Sequence, residues 1–304
     1  FKGAEWMGRK SPADAGEKLY QSLPASPFGN ELIEEFAEQA IHAEQLGRHD
    51  APDLLTLSLS SNDYIGHEYG PDAPEVRDIS VRTDRLLGKL FKFVDGQVGM
   101  QNVLVVFTAD HGVASKPDVS VARKMPGGRV SLIAVRNAVQ KALEQKYGAG
   151  KWILGAAEFS LYLNRDLIEG RNLDESGVEQ TAAQALLALP HVLRAYTRSQ
   201  LMNGAASEPV ARRVLNGFNL SRSGDVCVLL EPYWIPATAG TTHGSPFSYD
   251  THVPLIFMGR GIRAGEHFNT VAVNDIAPTL AAILGVEIPS GSVGRILSEM
   301  FPGN

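Results

Sequence analysis

The chain has 304 residues, of which 44% are hydrophobic, and a chain of this size buries a full core without disulfide or metal staples. Its 28 Lys and Arg against 34 Asp and Glu leave a net charge of -6, which argues against the basic surface of a nucleic-acid-binding protein. Cys227 is the only cysteine, so an internal disulfide is excluded, and we predict a small core residue there. No apolar run reaches the roughly 18 residues that a membrane-spanning helix needs.

A strand, a helix and a second strand are predicted before residue 110. An amphipathic helix over Glu31–Leu46 leads to the apolar run Leu54–Leu59, which is bounded by turn residues and predicts a buried parallel strand. A long amphipathic helix follows over roughly Glu75–Asp95, and Val103–Phe107 is a second, wholly apolar strand. Two strands joined by a helix predict an α/β fold with a mostly parallel sheet sandwiched by helices.

The pattern changes at about Lys116, where the elements become shorter and more mixed. A loop with glycine and proline is followed by one alternating strand and three helices, predicted over Ala157–Leu163, Ser131–Lys146, Glu175–Leu189 and Pro209–Leu215. These elements indicate an inserted α+β cap subdomain.

The core is predicted to resume with the strands Asp225–Leu230 and Val253–Met258, followed by a helix that ends before Gly285. The long loop Trp234–His252 between these strands indicates a functional segment, because structureless loops of this length are uncommon in compact domains. The predicted division is a core domain, an inserted cap and the continued core, over residues 1–115, 116–222 and 223–304.

Residues with metal-ligand character lie near the ends of these strands. One helical turn would place Asp63 and His67 on the same side, Asp110 and His111 close the second strand, and His243 lies in the long loop. Each group alone has an ordinary explanation as a surface turn, a cap or a solvated loop. Together they suffice for one three-ligand zinc site and half of another, and paired zinc ions suit phosphoryl transfer.

Three stretches around these residues resemble the metal motifs of the alkaline phosphatase superfamily: Ser60–Pro71, Thr108–Gly112 and His243–Pro254. Within it they are most similar to the type I phosphodiesterase/nucleotide pyrophosphatase branch and to its bacterial phosphate-irrepressible alkaline phosphatases. The similarity extends from about Ser26 to Thr279. The resemblance implies an alkaline phosphatase-like core with an inserted cap.

The resemblance implies that Asp63, His67 and His243 hold one zinc and that Asp110 and His111 hold another, so that the complete enzyme has two Zn2+. It also implies a Thr or Ser nucleophile that forms a phospho-enzyme, and a further Asp ligand, both upstream of the first ligand. Residues 1–62 contain no apolar strand that ends in Asp and leads to a Thr or Ser at a helix start. We therefore expect a C-terminal portion that lacks the nucleophile, with the missing N-terminal portion of the same protein as its partner.

The activity implied by the resemblance is that of an alkaline phosphomonoesterase acting on small phosphate esters, in the periplasm or secreted. Three alternatives stay open: a phosphodiesterase/nucleotide pyrophosphatase, a manganese-dependent phosphoglycerate mutase, and a non-catalytic zinc-binding remnant. A sulfatase is disfavoured, because that branch uses calcium and lacks the Asp-x-x-x-His pair. The match around Tyr249–Pro254 favours the monoesterase, and we expect little or no turnover by the isolated chain.

Overall fold

The computed structural model describes residues 1–157, 159–204 and 208–302, and its elements fall into two units. The first unit comprises residues 1–66, 73–110 and 253–304, and the second comprises residues 67–72 and 111–252.

The strands and helices have the following bounds. The strands are β1 (Glu5–Trp6), β2 (Arg9–Lys10), β3 (Leu104–Thr108), β4 (Gly128–Arg129), β5 (Ile153–Ala157), β6 (Ser160–Leu163), β7 (Val192–Thr197), β8 (Val226–Leu230), β9 (Trp234–Ile235) and β10 (Leu255–Gly259). The helices are α1 (Glu17–Ser22), α2 (Pro27–Ala43), α3 (Ser61–Tyr69), α4 (Pro74–Gln97), α5 (Pro117–Ala122), α6 (Leu132–Tyr147), α7 (Arg165–Gly170), α8 (Glu175–Leu187), α9 (Arg198–Met202), α10 (Pro209–Gly217), α11 (Ser248–Thr251) and α12 (Ile276–Leu284).

The first unit is built on the long helices α2 and α4, which pack against each other, and on the ladder of β3 with β10. Proline at the first turn starts both helices, where its missing N–H is not needed. Buried Ile79 and Leu90 lie on the apolar stripe of α4, as the amphipathic pattern predicts. Helix α12 ends at Gly285, whose φ of 67° gives the left-handed cap that glycine favours.

The second unit contains a four-stranded antiparallel sheet in the order β5-β6-β8-β7. Helices α6 and α8 pack against each other beside this sheet, and their apolar faces close one continuous core. Trp152 is fully buried in that core, and its indole N–H donates to the carbonyl oxygen of Gly148 at 2.9 Å. The buried aromatic ring therefore has the polar partner that a core tryptophan needs.

The predicted strand Leu54–Leu59 is wrong. The segment belongs to no ladder among the described residues, and Leu54 is 73% exposed. An extended apolar run becomes a strand only when another strand pairs with it, and an apolar pattern carries no information on that partner. Among the described residues, residues 54–59 and β3 therefore do not form the hydrogen-bonded strand pair of the predicted βαβ unit.

Two further strand predictions differ from the structure in their pairing. β3 pairs with β10 antiparallel, and within the described residues parallel pairing is confined to β4 with β9. We expected β8 to be the first strand of the continued core, but it pairs with β6 and β7 in the second unit. The alternating segment is divided between two strands, because Ala157 ends β5 and Ser160–Leu163 forms β6, and Glu158 within it lies outside the described residues. The three-part division at residues 115 and 222 stays a prediction.

Cys227 is the second residue of β8 and is half-buried, between the buried Val226 and Val228. Burial raises the pKa of its thiol to about 11, so the thiol is protonated and unreactive near neutral pH. In the part of the chain that the structure describes, no helix is both long and apolar enough to cross a membrane.

Leu143→Ala tests the core of the second unit. Leu143 is fully buried on α6, so its truncation leaves a cavity and we expect the free energy of unfolding to fall by about 2–5 kcal/mol. Ile133 lies on the same helix but is 73% exposed, so Ile133→Ala should change it by less than about 0.5 kcal/mol. Guanidinium unfolding followed by circular dichroism measures both, and equal losses would contradict the core described here.

Candidate metal centre

Helix α3 places Asp63 and His67 one turn apart on the same side, as their spacing predicted. Asp63 lies in the first turn, where a carboxylate interacts favourably with the helix dipole, and His67 lies in the last turn. The helix start is held by the side-chain oxygen of Asn30, which accepts a hydrogen bond from the backbone N–H of Ser61 at 3.1 Å. The relative position of Asp63 and His67 is therefore set by the helix that carries both residues.

The ring of His67 is held in one tautomer by the backbone. Its Nδ1 lies 2.9 Å from the carbonyl oxygen of Thr241, and a carbonyl can only accept, so Nδ1 carries the proton. This leaves a lone pair on Nε2, which lies 3.1 Å from the Nε2 of His243. A metal-binding histidine needs this arrangement, with one nitrogen donating to a carbonyl and the other open for the metal.

A third imidazole, that of His111, stacks on the ring of His243. The ring centroids are 3.4 Å apart and the ring planes differ by 13°. The Nδ1 of His111 donates to the carbonyl oxygen of Gly112 at 2.9 Å, which leaves its Nε2 as an acceptor as well. Three histidines from three separate chain segments therefore come together, with a 3.1 Å contact between two of their Nε2 atoms and a stacked pair of rings.

The donor set fits a zinc ion. Asp63, His67 and His243 each offer one ligand atom, and these atoms lie within 4.8 Å of one another. Two imidazole nitrogens and one carboxylate oxygen are among the ligand sets that zinc accepts. Asp110 lies two residues after the end of β3 and directly before His111, but it belongs to no such group of three among the described residues.

A second group of carboxylates, in the second unit, is Glu175, Glu179 and Asp225. This group already contains a cation, because the guanidinium of Arg165 hydrogen-bonds to Asp225 and its Nε lies 3.5 Å from a carboxylate oxygen of Glu175. Burial raises the pKa of the Glu179 carboxyl, which favours its neutral form. An internal ion pair and a buried acid account for this cluster without a metal.

The loop that leads to His243 is anchored by residues that the sequence analysis did not single out. Arg129 donates from its two terminal nitrogens to the carbonyl oxygens of Ala237 at 3.0 Å and of Gly240 at 2.7 Å. Thr241 donates its backbone N–H to the carbonyl oxygen of His67 at 2.8 Å. Its hydroxyl donates to the carbonyl oxygen of Ala114 at 2.8 Å. No sequence spacing signals these contacts, since they join residues far apart in the chain.

Asp250 lies in the motif that carries the resemblance, but the sequence analysis assigned it no role. It is only 3% exposed, and one carboxylate oxygen accepts hydrogen bonds from the backbone N–H of Ser245 at 2.7 Å and from its hydroxyl at 2.6 Å. Burial raises the pKa of the Asp250 carboxyl, while these hydrogen bonds and the nearby rings of His243 and His111 act in the opposite direction. The carboxylate is thus part of the surroundings of the histidine cluster.

Gly240→Ala tests whether this loop positions His67. A Cβ at residue 240 would lie 2.0 Å from the carbonyl oxygen of His67, and the backbone φ of 58° is already unfavourable for alanine. We expect the affinity for zinc, measured by competition with a chromophoric chelator, to fall.

Gly261→Ala is the matched control for this change. Its φ is also positive, at 82°, but an added Cβ meets nothing within 4 Å among the described residues. This variant should keep the zinc affinity of the unmodified chain, and a Gly240→Ala chain that does the same would contradict the positioning role of the loop.

The comparisons with known proteins all find enzymes that are named for phosphate-ester hydrolysis. The family model described as Type I phosphodiesterase / nucleotide pyrophosphatase matches residues 9–251. The chain is similar to the alkaline phosphatase PafA of Elizabethkingia meningoseptica, with 37% identity over 98% of this chain and 57% of that protein. It is also similar to the alkaline phosphatase PhoV of Synechococcus elongatus, with 33% identity over 93% of this chain and 51% of that protein.

The crystal structure of wild-type PafA superimposes on the described fold with a TM-score of 0.87 and 34% identity, over 99% of this chain and 60% of that chain. The chain therefore spans between half and two thirds of the length of these relatives.

Proposed function

Because the chain belongs to the type I phosphodiesterase/nucleotide pyrophosphatase family and has an alkaline phosphatase-like α/β fold, we propose that it serves zinc-dependent hydrolysis of phosphate esters. One observation carries the proposal: the ligand atoms of Asp63, His67 and His243 lie within 4.8 Å of one another. The contact of His67 Nδ1 with the carbonyl oxygen of Thr241 supports it, because metal-binding histidines commonly donate their other ring N–H to a carbonyl.

We assign Asp63, His67 and His243 to one zinc, and Asp110 and His111 to a second. A bound zinc ion supplies positive charge, which stabilises the negative charge that the phosphoryl group carries in the transition state. The protein's own contribution is orientation: the carbonyl of Thr241 holds His67, and the carbonyl of Gly112 holds His111.

Phosphate monoesters are the proposed substrate class. This is supported by the similarity over nearly the whole chain to two proteins that are named alkaline phosphatases. Phosphate diesters are the second candidate, because the matching family model is described by diesterase and pyrophosphatase activities. Location in the periplasm or outside the cell stays a prediction from the family resemblance, as does the phospho-Thr or phospho-Ser intermediate.

Zinc content is the direct test of the metal centre. After dialysis of the 304-residue chain against trace zinc, we expect about one zinc per chain by plasma mass spectrometry, because the second ligand pair is only half of a site. His243→Ala should abolish this zinc. His191→Ala is the control, because His191 stacks on Trp234 and pairs with Glu231 away from the ligand set. Loss of zinc from both variants, or from neither, would contradict the assigned ligands.

Hydrolysis and anion binding test the activity and the substrate class separately. We expect little turnover of para-nitrophenyl phosphate by the zinc-loaded chain, since no nucleophile is assigned in it. Robust hydrolysis that His243→Ala removes would show that the nucleophile lies within these 304 residues.

Binding of a monoester mimic is independent of turnover. On the cobalt-loaded chain, phenylphosphonate should perturb the visible spectrum at lower concentration than its singly charged methyl ester, because the second negative charge strengthens attraction to the metal centre. Tighter binding of the methyl ester would favour the diesterase instead.

A further inference from the structure

We propose that Asp250 is a positioning residue of the metal centre, whose carboxylate and carbonyl group hold together the two chain segments that carry His243 and His111. The inference rests on the proposed function, because it assumes that these histidines surround a metal. It concerns a residue outside the assigned ligand set, and it follows from contacts within the second unit alone.

The carboxylate of Asp250 closes the turn that begins at His243. One of its oxygens accepts two hydrogen bonds from Ser245, from the backbone N–H at 2.7 Å and from the hydroxyl at 2.6 Å. Ser245 lies two residues after His243, so these bonds restrain the backbone from which the His243 ring projects. The turn has no regular structure until the short helix α11 begins at Ser248, so the carboxylate replaces the hydrogen bonds that a helix or ladder would supply.

The main chain of Asp250 makes the link to the other histidine. Its carbonyl oxygen accepts a hydrogen bond from the backbone N–H of Gly112 at 2.7 Å. The carbonyl oxygen of the same Gly112 accepts from the Nδ1 of His111, so the backbone of a single residue joins Asp250 to the imidazole. This approach requires glycine, because a Cβ at residue 112 would lie 2.2 Å from the carbonyl oxygen of Tyr249.

Burial makes a purely structural explanation of this carboxylate incomplete. Asp250 is 3% exposed, and its other carboxylate oxygen, Oδ1, has no hydrogen-bond partner among the described residues. A buried carboxylate with an unsatisfied oxygen is unfavourable unless positive charge lies nearby. A cation held by the neighbouring histidines would supply that charge. The rings of His111 and His243 can stack only while the two segments that carry them keep their relative position.

Titration of the full chain with Co2+ tests this role, because cobalt in a histidine site has a visible spectrum that reports its coordination. Asp250→Ala removes the acceptor for both Ser245 donors, and we expect its Kd for Co2+ to rise about 10- to 100-fold, as is typical for residues that orient metal ligands. Asp250→Asn keeps an acceptor oxygen but loses the negative charge, so its Kd for Co2+ should rise by a smaller factor than that of Asp250→Ala, with the same spectrum.

Asp275→Ala is the matched control. Asp275 is also a buried aspartate that accepts two backbone N–H bonds, but it and both donors, Ala272 and Arg295, belong to the first unit. Its Kd for Co2+ should be unchanged. If Asp250→Ala does not fold, Ser245→Ala removes a single hydroxyl donor, and its Kd should rise by a smaller factor.

Two results would overturn the inference, and they are distinguishable. If the unmodified chain binds Co2+ and Asp250→Ala or Ser245→Ala binds it equally well, the metal centre stands and Asp250 has no positioning role. If the unmodified chain binds no Co2+, the metal centre itself fails and the role of Asp250 fails with it. An Asp250→Asn chain that binds as weakly as Asp250→Ala would overturn the hydrogen-bonding basis of the role.

Discussion

The hydrogen bond between the Nδ1 of His67 and the carbonyl oxygen of Thr241 is the constraint on which the candidate centre depends. It fixes the proton on one side of the imidazole and leaves the other side as a ligand. It also joins the end of α3 to the loop before His243, because Thr241 returns a second bond through its own backbone N–H. One pair of main-chain groups therefore determines both the chemistry of the ring and the position of the loop.

The remaining contacts of the site extend this constraint outward. Arg129, which ends β4, binds two carbonyl groups of the loop, and Gly240 lets the loop approach α3 closely enough for the His67 contact to form. Asp250 acts at the other end of the same loop. The histidines are consequently positioned mainly by backbone groups and by the charged side chains of Arg129 and Asp250. Contacts with backbone groups hold a side chain more firmly than contacts between two flexible side chains do.

The parts that sequence reasoning predicted well are those that depend on local pattern. The periodicity of α4 and the Asp63 to His67 spacing are properties of neighbouring residues, and the structure has both. The ladder partner of β3, the absence of pairing for residues 54–59 and the membership of β8 in the second unit depend on segments far away in the chain. No hydrophobic pattern specifies such partners, and the contacts of Asp250 were missed for the same reason.

The separation of the two facing histidines along the chain has a consequence for assembly. His67 and His243 are 176 residues apart, and bringing the ends of such a segment together costs about 4–5 kcal/mol in chain entropy by the loop-closure relation. The antiparallel sheet of the second unit offsets part of that cost, because it folds the intervening chain back on itself. A metal ion held by two imidazoles this distant in sequence would bind the folded chain more tightly than the unfolded one. Ion concentration and the folding equilibrium would then be thermodynamically linked, and the metal would act as a reversible cross-link.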